Sequence, residues 1–130
     1  MLPIIGFVGM THLGLISSTA VACKGFKTIC YDNDDELCNA LNHGKTAISE
    51  PGLEEQLALN RDRQHFTSSI GEIAQCDIVY ISSDVPTNSE GDSDLQKISE
   101  LIRQVIPCLG KNAILVILCQ VPPGFTRNVE

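Results

Sequence analysis

The sequence predicts an α/β fold in which helices cover both faces of a doubly wound parallel sheet, giving three layers. Two observations favour this class. Short, almost wholly apolar runs alternate with helical segments along the chain, and such runs are typical of parallel strands that are buried on both faces. Four such runs and one short, mixed segment give five predicted strands, and right-handed crossovers between them produce a doubly wound sheet. The length of 130 residues is that of one domain.

The first half of the chain contains three predicted strands and three predicted helices. In chain order they are strand 3–8, helix 11–24, strand 27–31, helix 34–41, helix 51–59 and the short strand 65–68. Gly25 ends the first helix, and Pro51 suits the first turn of the third. Helical spacing assigns the inward face of the first helix to Leu13, Ile16, Ala20 and Cys23.

The second half repeats the alternation with stronger signals. In chain order it contains a short helix 69–74, strand 77–82, a polar loop 83–93, a helix that begins at residue 94, and strand 113–118. Pro107 and Gly110 end the long helix. One face of that helix is apolar at helical spacing and is predicted to be buried; its members are Leu95, Ile98, Leu101, Ile102 and Val105.

Charge and hydropathy exclude several classes of protein. The chain carries 9 Lys and Arg against 16 Asp and Glu, a net charge of −7, with no basic cluster, which argues against nucleic-acid binding. No apolar run reaches the roughly 18 residues that span a bilayer. The start Met1-Leu2-Pro3 does not resemble a signal peptide. We therefore expect a cytoplasmic protein without a membrane partner.

The cysteines indicate a reducing compartment. They lie at positions 23, 30, 38, 76, 108 and 119, and none forms a C-x-x-C pair. A disulfide framework is typical of shorter secreted chains. We therefore expect reduced, buried thiols and no metal site.

A glycine motif between the first strand and the first helix carries the chemistry. It reads Gly9-Met10-Thr11-His12-Leu13-Gly14, and Asp32 ends the second strand 18 residues after Gly14. In dinucleotide-binding folds the first glycine makes a tight turn, the last lets the helix pack on the strand, and helix amides hold the pyrophosphate. The acidic residue accepts hydrogen bonds from the adenosine ribose. Thr11 replaces the second glycine of the pattern.

With these residues the chain resembles the UDP-glucose/GDP-mannose dehydrogenase family, specifically its N-terminal Rossmann-type NAD-binding domain. The resemblance covers nearly the whole chain. Besides the glycine motif, its landmarks are Tyr31-Asp32, Glu50-Pro51-Gly52-Leu53, Asp84-Val85-Pro86-Thr87, Ser93-Asp94-Leu95 and Gln120-Val121-Pro122-Pro123-Gly124. The whole of 1–130 is thus expected to be one NAD-binding domain.

The resemblance implies an oxidoreductase that uses NAD to oxidise the alcohol of a sugar nucleotide, such as UDP-glucose, to a carboxylate in two hydride transfers. It implies cofactor contacts at Gly9, Met10, Thr11, His12, Leu13, Gly14, Asp32, Ser83, Asp84, Val85, Pro86, Thr87 and Gln120. The family's catalytic Cys, Lys, Asn and Glu lie on segments after this domain. We therefore assign no catalytic residue here, interpret Cys119 as a small hydrophobe, and expect this chain alone to be inactive. The full-length parent is expected to be a homodimer with a UDP-sugar substrate.

Four departures from the family pattern leave alternatives open. Thr11 stands where the family has Gly, Leu37 where it often has a basic residue, and Val85 and Gln120 where Thr is common. Weak NAD binding is one consequence. The alternatives are the NAD-binding domain of a β-hydroxyacid dehydrogenase, for which Asp32 disfavours NADP, and a non-enzymatic Rossmann module with a degenerate cofactor site.

Two local interpretations also remain open. His12 is expected to be a partly exposed residue at the helix start, with phosphate contact as the alternative. The segment that begins at Glu50 is either a loop at the substrate mouth or a capped helix start, where the helix dipole favours an acidic residue.

Overall fold

Five parallel strands form one sheet in the order β3-β2-β1-β4-β5. The computed structural model describes residues 2–83 and 95–118, together with Gly124 and Arg127. The strands are β1 (Ile5–Val8), β2 (Thr28–Tyr31), β3 (Gln64–Thr67), β4 (Ile78–Ile81) and β5 (Ile114–Ile117). The helices are α1 (His12–Cys23), α2 (Asp35–Asn42), α3 (Leu53–Leu59) and α4 (Leu95–Val105), with 3₁₀ turns at Ile70–Gln75 and Ile106–Cys108.

The strand order places a topological switch point between β1 and β4. The chain first builds outward from β1 to β3 and then returns to the other side of β1. Val8 is in register with Tyr31 on one side and Ile81 on the other, so three strands end together. Ligands of open α/β sheets bind at this kind of edge, outside the carboxyl ends of the strands.

Two separate apolar clusters lie on the two faces of the sheet. Strand side chains alternate between faces, so Phe7 packs in one cluster with Leu15 of α1, and Val8 packs in the other with Ile98 of α4. Residues of α2 and α3 join the first cluster, and the 3₁₀ turn containing Ile73 joins the second. The predicted three-layer fold is therefore confirmed.

The predicted inward face of α4 is confirmed within the described residues. Ile98, Ile102 and Val105 are at most 4% exposed and Leu101 is partly buried. The Leu95 side chain lies outside what the structure describes.

The predicted inward face of α1 is wrong at two of its four positions, since Leu13 and Ile16 are partly buried against the core. Ala20 and Cys23 are exposed, and the buried residues are Gly14, Leu15, Ser18, Thr19 and Ala22. The helix is small or apolar on almost every side, so spacing does not identify its buried face. The buried hydroxyls are satisfied internally, because Ser18 and Thr19 donate to the Leu15 carbonyl at 3.1 and 2.7 Å and accept from the Gln64 amide, both at 3.1 Å.

Smaller corrections concern helix bounds. The third helix begins at Leu53, not at Pro51, because Gly52 adopts the left-handed conformation at its N-cap (φ 80°). The predicted helix 69–74 is a 3₁₀ helix over Ile70–Gln75.

The prediction of uniformly buried thiols is only partly correct. Cys30, Cys38 and Cys76 are buried, whereas Cys108 is partly buried and Cys23 is exposed. Cys23 is the last residue of α1, and its thiol donates to the Gln56 side-chain oxygen of α3 at 3.0 Å. Across the described part of the chain, no helix is both long and apolar enough to span a bilayer.

Candidate functional site

Gly9 makes the turn that follows β1. Its φ is 101°, a conformation that residues with a Cβ rarely adopt, and an added Cβ would lie 2.8 Å from the backbone of Ser83 at the end of β4. Its amide donates to the Tyr31 carbonyl at 2.9 Å. Glycine is therefore required here on two grounds, and the turn is attached to both β2 and β4.

Gly14 lets α1 begin directly against this turn. A Cβ at position 14 would collide with the Gly9 carbonyl oxygen. Ser82, fully buried, supports the same contact, because its hydroxyl lies 3.2 Å from the carbonyl oxygens of Val8 and Gly9 and donates to them. Ser82 is not among the residues predicted from the sequence. Its one signal is a hydroxyl at the end of an otherwise apolar strand.

The middle of the turn combines a buried residue and an exposed one. Met10 is 3% exposed and packs in the cluster beneath α1, so it offers only backbone to a ligand. Thr11 is exposed and occupies the N-cap position of α1 with extended backbone (φ −78°, ψ −170°). Its side chain therefore stands where an anion would approach the first amides of the helix.

The turn between β1 and α1, residues 9–11, is called the glycine turn below. Asp32 joins it to the loop after β2. One carboxylate oxygen accepts the Met10 amide at 2.9 Å and the other accepts the Asp34 amide at 3.0 Å. A carboxylate offers about four lone-pair sites, so both oxygens can still accept hydroxyl donors. Asp32 is thus a structural clamp and a potential acceptor for a ligand.

His12 and Glu50 connect the start of α1 to the segment before α3. Their side chains meet at 2.9 Å and are 56% and 41% exposed. His12 is an exposed helix-start residue, as expected. The Glu50 segment leads into the Gly52-capped helix, and the Glu50 carboxylate meets the first residue of α1.

A cavity of about 390 Å³ opens beside the switch point, within the size range of ligand pockets. Its lining comprises Gly9, Tyr31, Asp32, Asn33, Ser83, Lys97, Glu100, Leu101 and Gln104. Burial, and secondarily the charge of Asp32, raises the pKa of the Tyr31 hydroxyl, so Tyr31 is neutral there.

Three predicted site residues, Gly9, Asp32 and Ser83, thus line one cavity. Leu13 is partly buried against the α4-side cluster and Leu37 against the α1-side cluster, and neither lines the cavity. Asp84, Val85, Pro86, Thr87, Gln120 and Cys119 lie outside the described residues. The α4 residues of the lining were missed, because polar side chains on an amphipathic helix resemble a solvated face.

A glycine turn between strand and helix, an acidic residue at the end of β2 and a cavity beside the switch point together define a dinucleotide-binding domain of the Rossmann type. Residues 4–130 match the sequence model of the NAD binding domain of the UDP-glucose/GDP-mannose dehydrogenase family. The chain belongs to that family, which confirms the family and the cofactor, NAD, predicted from the sequence.

Individual relatives agree with this assignment. A UDP-glucose 6-dehydrogenase of Rickettsia typhi is 32% identical over 128 residues, covering 96% of this chain and 30% of the relative. One from Pseudomonas aeruginosa is 31% identical over 126 residues, covering 95% and 28%. The chain therefore spans less than a third of the curated relatives it matches.

Solved structures show the same fold. The GDP-mannose dehydrogenase of Pseudomonas aeruginosa superposes with a TM-score of 0.88 at 26% identity, covering 96% of this chain and 30% of that one. The UDP-glucose dehydrogenase of Pyrobaculum islandicum gives 0.87 at 27% identity, covering 99% and 32%.

Proposed function

We propose that this chain is the cofactor-binding part of an NAD-dependent sugar-nucleotide dehydrogenase. The complete protein would oxidise the primary alcohol of a UDP-sugar to a carboxylate in two steps, with NAD accepting a hydride in each. The relatives named above are UDP-glucose dehydrogenases and a GDP-mannose dehydrogenase, which supports the substrate class. The observation that carries the proposal is the hydrogen bond between Asp32 and the glycine turn, which brings a ribose acceptor beside a phosphate-binding turn.

The described residues fit NAD. The pyrophosphate would lie over the Gly9 turn at the start of α1, where backbone amides favour anions, with Thr11 and His12 beside it. The adenosine ribose would donate to Asp32. We propose Ser83, Asp84, Val85, Pro86, Thr87 and Gln120 for the nicotinamide half, because they follow β4 and β5 in the chain and the family resemblance implies cofactor contacts there.

Calorimetric titration of the purified chain with NAD and NADP tests this assignment. We expect weak NAD binding, because Thr11 crowds the turn, and weaker NADP binding, because Asp32 repels a 2′-phosphate. NADP binding as tight as NAD would contradict the role of Asp32. No binding of either would favour the alternative of a degenerate, non-enzymatic module.

The chain alone is expected to show no dehydrogenase activity. Hydride transfer requires a substrate carbon held against the nicotinamide, and by family resemblance the substrate pocket and the thiol nucleophile lie on later segments. The assay is NADH formation with UDP-glucose and GDP-mannose at high protein concentration, with a full-length relative as the positive control. Turnover that is lost in Cys119→Ser would contradict both the proposal and the interpretation of Cys119.

We further propose a cytoplasmic location and, for the complete protein, a homodimer. The free thiols Cys23, Cys30, Cys38, Cys76 and Cys108 fit a reducing compartment. The dimer is proposed from the family resemblance, and light scattering of the complete protein tests it.

A further inference from the structure

One side of α4 forms a polar stripe toward the cofactor cavity. Lys97, Glu100, Leu101 and Gln104 are separated by three, one and three positions, a spacing that places them on neighbouring turns of one helix side. All four line the cavity that Asp32 lines. The adjacent stripe, which contains Ile98 and Ile102, is buried against the sheet and fixes the rotation of the helix. The polar stripe is therefore exposed to solvent and also lines the cavity.

The position of this stripe assigns it to one part of the cofactor, an argument that rests on the proposed function. The glycine turn takes the pyrophosphate and Asp32 takes the adenosine ribose. Among the described residues, the rest of the lining comes from the four α4 residues together with Tyr31, Asn33 and Ser83. The group attached to that ribose is the purine base.

The side chains of the stripe differ in what they can offer a base. A Glu carboxylate only accepts hydrogen bonds, a Lys ammonium only donates, and a Gln amide does both. Leu101 is partly buried and offers an apolar surface to a flat ring. The Gln96 amide nitrogen lies 3.5 Å from one Glu100 carboxylate oxygen and helps to hold that carboxylate in place.

We propose that Glu100 determines which purine the site accepts, by taking a hydrogen bond from the exocyclic amine of adenine while Leu101 contacts the ring. Hypoxanthine carries a carbonyl oxygen in place of that amine, and a carboxylate facing it meets an acceptor instead of a donor. The discrimination between the two purines would then come from α4. On α2, Leu37 has no polar group that could contribute to it.

The test compares NAD with nicotinamide hypoxanthine dinucleotide by calorimetry on the 130-residue chain. We expect NAD to bind about tenfold more tightly than the hypoxanthine form, the size of one net hydrogen bond to a charged group at a partly solvated site. In Glu100→Gln the new amide can donate to the hypoxanthine carbonyl. The two dinucleotides should then bind about equally well, or the hypoxanthine form should bind more tightly. Glu54→Gln, an exposed acid on α3 remote from the lining, is the matched control and should keep the original preference.

The outcomes separate the two proposals. If NAD binds, Asp32→Ala weakens it, and the ratio is the same in the wild type and Glu100→Gln, the assignment of Glu100 is wrong and the proposed function stands. If neither dinucleotide binds the wild-type chain, both fail. Circular dichroism of Glu100→Gln verifies that the variant is folded, and Glu100→Ala, which should also abolish the preference, provides a second variant.

Discussion

Asp32 shows how one side chain can serve the fold and the ligand together. Its two carboxylate oxygens hold the amides of Met10 and Asp34, which belong to different loops. Hydrogen bonds to a charged acceptor are among the stronger ones in proteins. Removal of this carboxylate should therefore loosen the glycine turn as well as delete a ribose contact.

Asp32→Ala is expected to weaken NAD binding by about 1.5–3 kcal/mol, the range for hydrogen bonds to charged groups, and also to lower the unfolding temperature. Calorimetry and thermal unfolding measure the two effects separately. Glu36→Ala, an exposed acid on α2 outside the cavity lining, is the matched control and should bind NAD as the wild type does. Unchanged affinity in Asp32→Ala would contradict the ribose role.

Thr11→Gly is expected to strengthen NAD binding. The side chain of Thr11 is exposed at the start of α1, where the backbone must come close to a pyrophosphate, and a branched Cβ hinders that approach. At an N-cap, glycine costs only a few tenths of a kcal/mol relative to Thr, so folding should change little. Weaker binding in the variant would instead show that the Thr11 hydroxyl donates to a phosphate.

At the scale of elements, the position of α1 depends on one missing methyl group. The helix begins against the turn because position 14 has no Cβ, and the Ser82 hydroxyl, which donates to the Gly9 carbonyl, lies at the same contact. β1, α1 and the end of β4 therefore form a single packed unit. A change at the contact should disturb all three.

Gly14→Ala is expected to destabilise the fold by roughly 1–3 kcal/mol, the usual cost of forcing extra volume into a packed site, and to reduce NAD binding, because α1 must move away from the turn. Urea unfolding gives the stability change. Gly71→Ala is the control, since a Cβ there would have no atom within 4 Å. Equal stability of the two variants would show that α1 does not depend on this contact.

At the scale of the whole molecule, the buried thiols make the free energy of unfolding depend on pH in the alkaline range. Burial is the main cause that raises the pKa of Cys30 and of Cys76 to about 12 and that of Cys38 to about 11, against an ordinary value of 9.0. The unfolded chain therefore releases these protons first as the pH rises. The stabilising effect is complete below pH 9 and is lost between about pH 9 and 12.

The free energy of unfolding is thus expected to fall between pH 8 and pH 10, as measured by urea unfolding. Cys30→Ala removes one such group and should show a smaller fall over the same interval, whatever its stability at pH 8. An identical fall in the variant would contradict the contribution of Cys30.

Cys23, which is exposed, should react with a thiol reagent at neutral pH before the three buried thiols.

The sequence was sufficient for features that depend on local pattern. Apolar runs located four of the five strands, and the spacing of Ile98, Ile102 and Val105 identified the buried face of α4. The short strand β3 contains a single large apolar residue, Phe66, and its bounds were predicted one residue late. It failed for Ala20 and Cys23 of α1, because the small and apolar residues of that helix lie on almost every side and give no clear periodic signal. It also missed Ser82 and the α4 stripe, because their roles arise from packing between segments far apart in the chain.

The clamp formed by Asp32 has a consequence for the speed of cofactor capture. The turn is held by two of the protein's own groups, the Asp32 carboxylate and the Ser82 hydroxyl. The turn is therefore ordered when the protein folds, and binding of a ligand does not add the entropy cost of ordering it. Capture should proceed as a single kinetic phase whose rate rises in proportion to NAD concentration, with no slower rearrangement behind it.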